Sequence, residues 1–323
     1  MKSFEVVTIG SALKDIMFHS DDVALVADKK NLKNFFNIEA GRKFSISDVF
    51  VNYGGGATNA AVGLNNFGII VSPMIMLGAD QVGQEFYSYL KKNKINTALI
   101  EILKKEKTGF SIILSSSKTR EHVVFSFKGA SDFVRAQNLD EFKTDWFYVS
   151  ALTNKNWKAE FEKITRQVKR GSRIAWNPGL LQLKDYKTLL KFLPFVEILI
   201  LNLEEAVDLV SRLNKKAKKS QLNKPVYLLK ELSRSGAKKV VVTKGNKGVF
   251  AVDELGQYHY YPSVAVTKRV VDTVGAGDAF SSGLIAGMIR WENFSRALQL
   301  GIRNSAHVLY RVGAQNGLMK IKL

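Results

Sequence analysis

Residues 270–290 read VVDTVGAGDAFSSGLIAGMIR, and the order of residue types in this stretch decides how the rest of the chain is understood. Asp272-Thr273-Val274 reads as the end of a strand, Gly275-Ala276-Gly277 as a turn, and Asp278 as the opening of a helix built from small and apolar residues. Backbone amides at a glycine-rich helix start converge on an anion and present the positive end of the helix dipole to it. An acid in that place could accept a proton from a hydroxyl attacking a phosphoryl group held by the amides of Gly275, Ala276, Gly277 and Asp278. The same residues also fit an ordinary helix cap, an Asp following a glycine turn. On these residues alone both readings stand.

A second glycine-rich turn, NYGGGATNAAVGLNNFG, spans Asn52 to Gly68. Three consecutive glycines let backbone approach a ligand closely, Asn59 offers a donor and an acceptor, and the helix that follows ends at Gly68. The turn suits recognition of hydroxyls. Neither glycine segment carries the Gly-Lys-Ser/Thr of a Walker A loop or the spacing of a dinucleotide fingerprint. Ser281 and Ser282 lie one helical turn past Asp278 without a histidine partner, which argues against a Ser-His-Asp hydrolase. The histidines, at 19, 122, 259 and 307, share no metal-ligand spacing.

Composition bounds the class. The chain has 323 residues, 46% hydrophobic and 24% charged, in the range of a packed globular protein. Cysteine is absent, which excludes a disulfide framework and thiolate metal sites and fits a reducing compartment. The opening MKSFEVVTIGSALKD lacks the pattern of a signal peptide, and apolar runs such as Val196 to Leu201 are far shorter than a membrane span. A cytoplasmic protein is expected. The net charge of +19, from 48 Lys+Arg against 29 Asp+Glu, is dispersed; its densest run, Arg212 to Lys224, reads as a solvated helix end and loop. Such a field steers anionic ligands without forming a nucleic-acid groove.

Apolar runs of strand length, EVVTIG, SPMIMLG, WFYVSA, RIAWNP, EILILN and KKVVVTKG, alternate with helical patterns and predict βα units around a mostly parallel sheet covered by helices on both faces. Residues 17–51 and 108–130 break this alternation. In the second, Val123, Phe125 and Phe127 alternate with His122, Val124 and Ser126 beyond a polar KTRE turn, the period of a half-buried antiparallel strand. These two stretches are expected to form a small β-rich lid, and 1–16, 52–107 and 131–323 the main α/β domain. An ordinary surface hairpin would give the same local pattern.

Taken together, these segments resemble the ribokinase (PfkB) family over essentially the whole chain. Its N-terminal signature is matched by Gly54 to Ala61 and its C-terminal signature by Asp272 to Asp278. Between them, in the family's order, LNLEEA resembles its Asn-x-x-Glu element at Asn202 and Glu205, and VTKGNKG its Thr-x-Gly-x-x-Gly at Thr243, Gly245 and Gly248. The resemblance implies an ATP-dependent kinase with Asp278 as base and an anion hole at Gly275 to Asp278. Asp15, Gly55, Gly56 and Asn59 would bind the substrate. Asn202 and Glu205 would act on Mg²⁺ through water, while Thr243, Gly245 and Gly248 would face the nucleotide. Asn304 and Ser305 are the candidates for contact with adenine, and helix packing is the commoner reason for either residue. The tail LYRVGAQNG, with Asp272, Val274 and Gly313, suggests a K⁺ site, and the lid suggests a homodimer.

The acceptor is less defined. Ribokinases proper often carry a lysine at the position of Gly56 and a glutamate at that of Thr153, and both departures weaken a strict ribose assignment. GSALKDI also resembles the opening of adenosine-kinase-type members, and the lid aromatics Phe110, Phe125 and Phe127 could face a nucleobase or form the lid's own core. The expectation is a sugar kinase, with a nucleoside kinase as the alternative and a catalytically idle sugar- or nucleotide-binding regulator behind it.

Overall fold

The computed structural model describes residues 2–20, 24–28, 33–41, 43–116, 122–264 and 270–323. Strands β1 (Lys2–Ile9), β2 (Leu13–Ser20), β3 (Ala24–Asp28), β4 (Lys33–Asn37) and β5 (Asp48–Gly54) lead into helix α1 (Gly56–Asn66). Strands β6 (Val71–Met74) and β7 (Met76–Gly78) precede helix α2 (Gln81–Lys92), followed by β8 (Glu101–Leu103), β9 (Gly109–Ser116) and β10 (His122–Phe127). The chain continues through β11 (Phe142–Val149), α3 (Trp157–Val168), β12 (Arg173–Trp176), α4 (Leu180–Lys184), α5 (Tyr186–Phe192), β13 (Ile198–Asn202) and α6 (Leu203–Leu213). It ends with α7 (Lys219–Leu222), α8 (Pro225–Ser233), β14 (Lys239–Thr243), β15 (Val249–Val252), β16 (Tyr258–Tyr261), α9 (Ala276–Trp291) and α10 (Phe294–Val308).

Eight strands form the main sheet in the order β16-β15-β14-β13-β12-β11-β1-β6. Pairing is parallel from β6 to β14, and only β15 and β16 run antiparallel. The apolar runs of the inner strands follow from burial on both faces, with successive side chains supplying alternate cores. Trp146, Tyr148, Ile198 and Ile200 enter one core with residues of α1, α9 and α10. Phe147, Val149, Leu199 and Leu201 enter the other with residues of α3, α5, α6 and α8. The doubly covered, mostly parallel sheet expected from the βα alternation is therefore present.

A second sheet of four strands, ordered β10-β9-β2-β5, stands beside one end of the first. It begins at Leu13 and takes in β5 as far as Gly54, so it extends past both ends of the 17–51 segment. The KTRE turn lies outside the described residues. Register decides the character of each face. Asn52, Asp15, Ser111 and Ser126 form one cross-strand row. The neighbouring row, Val51, Ile16, Ile112 and Phe125, points to the opposite face because side chains alternate along a strand.

One local expectation is corrected. Residues 270–273 are not in a strand; the amide of Val271 donates to the carbonyl of Leu309 at 2.8 Å, so the segment is tied to the end of α10 rather than to a sheet ladder.

Aromatic packing anchors the second core. Phe161 is fully buried, with its ring centroid 4.0 Å from that of Trp176 and 5.0 Å from that of Phe192. Phe161→Ala should lower unfolding free energy by about 3–5 kcal/mol, read from the urea midpoint, because the loss of transfer energy is compounded by a cavity. A loss below about 1 kcal/mol would mean that this aromatic cluster does not anchor the core.

Candidate active site

The local folding of residues 272–278 builds the site. Gly275 caps α9 in the left-handed region at φ 79°, and a Cβ there would fall 2.3 Å from that of Ala314, so only glycine fits. The turn before it is held by Asp272, whose carboxylate accepts from the amides of Val274 at 3.0 Å and Gly313 at 2.8 Å. Gly275 supplies no capping side chain. The amide of Ala276 donates to the carbonyl of Thr273 at 3.3 Å. The first-turn amides of Gly277 and Asp278 complete the positive end of the helix.

Two cavities meet at this turn. One, of about 410 Å³, is lined by Asp15, Gly55, Gly56, Asn59 and Asp278, together with Thr273, Val274 and Gly275. The other, of about 510 Å³, is lined by Asn202, Thr243, Gly245 and Gly248 and by Thr273, Ala276 and Gly277. The first is walled by carboxylates, an amide side chain and hydroxyls. The second has apolar walls from Val249, Val264, Phe280, Ile302 and Leu309 beside its glycines. A largely polar chamber and a largely apolar one thus share one glycine turn at a helix N-terminus.

Asp278 projects into the first chamber from the first turn of α9. Its Oδ2 accepts from Asn59 Nδ2 at 2.7 Å. Asn59 Oδ1 accepts from Gln315 Nε2 at 2.8 Å, and Gln315 Oε1 from the Tyr89 hydroxyl at 2.6 Å. This relay fixes the orientation of both amide side chains and of the carboxylate. Burial pushes the Asp278 carboxyl up to about 6, opposed by the bond from Asn59 and reinforced by the charge of Asp15.

Asp15 enters the same chamber from β2. It accepts a hydrogen bond from Ser111 and lies against the backbone of Gly54, where a Cβ would fall 1.9 Å from Oδ2. Burial pushes its carboxyl up to about 6 as well; Ser111 and Lys128 oppose this and Asp272 adds to it. Ser111, Ser126, Lys128 and Gln315 were missed by sequence reasoning. Residues 111 and 126 were readable only through the row they share with Asp15, and that row requires the strand register.

The remaining expectations divide. Asn202 and Glu205 form a reciprocal capping box at the start of α6, each backbone amide donating to the other's side chain at 2.8 Å. Burial raises the Glu205 carboxyl, opposed by the hydrogen bond from the Asn202 amide, and Glu205 itself is not among the residues lining either chamber. Asp272, Val274 and Gly313 are neighbours, the two oxygens of the Asp272 carboxylate accepting from the amides of Val274 and Gly313. Asn304 requires a correction: it does not line the apolar chamber that Thr243, Gly245 and Gly248 border. Fully buried, it donates to the Ala279 carbonyl at 2.8 Å and accepts from the Met319 amide at 2.9 Å, and so ties α10 to α9 and to the C-terminal segment. Its neighbour Ser305 does line the chamber. Phe125 and Phe127 also turn away from the acceptor chamber; Val124, Ser126 and Lys128 line it instead. His259 bonds Asp253 and His307 bonds the Gly317 carbonyl. Among the described residues no group of three His, Cys, Asp or Glu could hold a metal ion.

The sequence model of the pfkB family carbohydrate kinases matches residues 21–321, and the chain belongs to that family. It is 24% identical over 271 residues to a nucleoside kinase from Methanocaldococcus jannaschii, covering 82% of each protein. It is 23% identical over 251 residues to a ribokinase from Dictyostelium discoideum, covering 74% of this chain and 78% of that one. The crystal structure of the M. jannaschii nucleoside kinase, an archaeal member of the ribokinase family, superposes with a TM-score of 0.77 at 20% identity over 98% of this chain and 96% of that one. A ribokinase from Cryptococcus neoformans var. grubii in complex with ADP gives a TM-score of 0.75 at 20% identity, again over 98% and 96%. The fold is that of the ribokinases, and no helix among the described residues is long and apolar enough to cross a membrane.

A carboxyl raised on folding holds its proton more tightly in the folded than in the unfolded chain. Its contribution is present below the unfolded value of 3.8 and is lost as pH rises through about 6. Asp278→Asn should therefore stabilise the ligand-free protein by up to about 3 kcal/mol at neutral pH, with the gain vanishing near pH 4. Urea denaturation of both proteins at the two pH values measures this; a gain that did not depend on pH would show that Asp278 is not electrostatically strained.

Proposed function

We propose that this kinase phosphorylates a hydroxyl of a sugar with ATP, using Asp278 as general base. The observation that carries the reading is the Asp278 carboxylate, fixed by Asn59 and lying where the two chambers share one helix N-terminus. In this reading Asp278 takes the proton of the acceptor hydroxyl as its oxygen attacks the γ-phosphorus. The bond from that phosphorus to the β-γ bridging oxygen breaks and ADP departs. The amides of Gly277 and Asp278 stabilise charge on the transferred group, and Thr243, Gly245 and Gly248 border the nucleotide. Asp15, Gly55, Gly56 and Asn59 orient the acceptor's hydroxyls.

Asn202 and Glu205 would hold waters of Mg²⁺, which supplies charge neutralisation on the phosphates when bound. A monovalent cation, K⁺, is proposed at the junction of Asp272, Val274 and Gly313, where two backbone turns already converge. A Cβ at Gly56 would stand 2.9 Å from the Ser150 side chain, which supports the departure from a ribokinase-type lysine at that position. The Thr153 hydroxyl donates to the Ser131 carbonyl at 3.1 Å, an orientation consistent with a packing role. Similarity to the M. jannaschii nucleoside kinase favours a nucleoside acceptor as the second reading.

ADP release from Mg-ATP across ribose, fructose, ketodeoxygluconate, fructose 6-phosphate, adenosine, cytidine and inosine tests the assignment. Activity on a sugar is expected, with Asp278→Asn lowering kcat about 10²–10⁴-fold while ATP still binds. The rate should rise with pH through about 6, where the base loses its proton. Near-normal turnover of the variant would reject Asp278 as base, activity only on nucleosides would select the second reading, and equal rates in K⁺, Na⁺ and a large organic cation would remove the cation site.

The outer face of the lid supports a homodimer. Val49, Val51 and Phe125 are 58%, 55% and 54% exposed there, apolar side chains on the face of the sheet away from the acceptor chamber. Sedimentation should give a dimer that Val51→Lys converts to a monomer. A monomeric parent protein at tens of micromolar would refute this arrangement.

A further inference from the structure

Among the described residues the acceptor chamber is lined by one cation, and the proposed phosphoryl transfer does not use it. Lys128 follows β10 at the position next after Ser126 on the chamber side, and its side chain is half-buried in the chamber wall. Other lysines held in polar surroundings have close partners: Lys14 meets Glu85 at 2.7 Å, and Lys239 meets Glu197 at 2.7 Å and Glu254 at 2.9 Å. Lys128 has no such ion pair among the described residues. Asp15 and Asp132 act on it only through longer-range attraction. Burial draws its ammonium below the usual lysine range, so the free protein keeps a partly desolvated cation without a contact partner.

The remainder of the wall limits what could complete this cation. Leu13, Ile113 and Val124 are apolar and offer no counter-charge, while Ser126 supplies a hydroxyl nearby. Asp15, Asn59 and Asp278 are acceptors or amides suited to sugar hydroxyls, and the two carboxylates repel a negative group placed beside them. An anionic substituent would therefore be held at the Lys128 and Ser126 side of the chamber, with the reacting hydroxyl toward Asp278. A neutral sugar leaves the ammonium without a partner.

We infer that the acceptor is an anionic sugar, one whose carboxylate or phosphate is held by Lys128 while a hydroxyl lies at Asp278. This rests on the reading of the chamber as the acceptor site of a sugar kinase and narrows it to acids or phosphate esters. Lys128 in this role determines specificity and takes no part in the chemistry.

Matched acceptors test it. The quantity read is kcat/KM for fructose 6-phosphate and for ketodeoxygluconate, each relative to neutral fructose, in the parent protein, Lys128→Gln and Lys128→Arg. The parent should prefer one of the anionic sugars. In Lys128→Gln that preference should fall about 10–100-fold, the range for losing a charge-assisted hydrogen bond, and Lys128→Arg should retain most of it. Loss confined to the phosphate ester or to the acid identifies the anion. Equal or better use of fructose by the parent, or an equal loss for neutral and anionic acceptors in Lys128→Gln, would overturn the inference and leave the kinase assignment intact. If none of these sugars released ADP, the sugar-kinase reading would fail, and calorimetry of the anionic sugars with the parent and Lys128→Gln would still decide: Lys128-dependent binding supports the anion site, and its absence refutes it.

Discussion

A left-handed turn at Gly275 is the constraint on which the site depends. It points the start of α9 at the junction of two chambers, and it is held from below by Asp272, whose carboxylate ties the amides of Val274 and Gly313 together. The same turn lines both chambers, so ligands in the two would meet one set of amides. The glycine is needed because Ala314 occupies the space a side chain would take. Phosphoryl transfer relies on positioning and charge stabilisation more than on covalent chemistry, and a fixed helix start between two ligand chambers provides both.

Two carboxyls in one confined chamber work against stability and toward chemistry. Asp15 and Asp278 are both pushed up to about 6 by burial, which is the direction a general base near neutral pH requires. The cost is limited by hydrogen bonds from Ser111 and Asn59. The relay from Tyr89 through Gln315 to Asn59 gives that last bond a defined direction, so residues from α2, the C-terminal segment and α1 all bear on one carboxylate.

The lid serves two surfaces through one register. Its row of Asn52, Asp15, Ser111 and Ser126 lies on the face toward the acceptor chamber, while Val51, Ile16, Ile112 and Phe125 lie behind it. A shift of a single residue would exchange the two faces and remove Asp15 from the chamber. This explains why the aromatics at 125 and 127 are not acceptor contacts: alternation along β10 directs them outward once Ser126 and Lys128 face in.

The sequence by itself determined the βα succession and the two glycine turns, marked the stretches that break the alternation without their bounds, and singled out Asp15 and Asp278 as candidates. Hydrophobic period, glycine placement and local motif order are properties of neighbouring residues and survive in one dimension. Only the tertiary structure decided the pairing of Asn59 with Asp278, 219 positions apart, and the arrival of Gln315 and Lys128 at the chambers. It also decided that residues 270–273 leave the sheet and that Asn304 ties helices together rather than meeting adenine. Those outcomes depend on strand register and on which helix faces which, and contacts between distant segments leave no periodic trace in the chain that makes them.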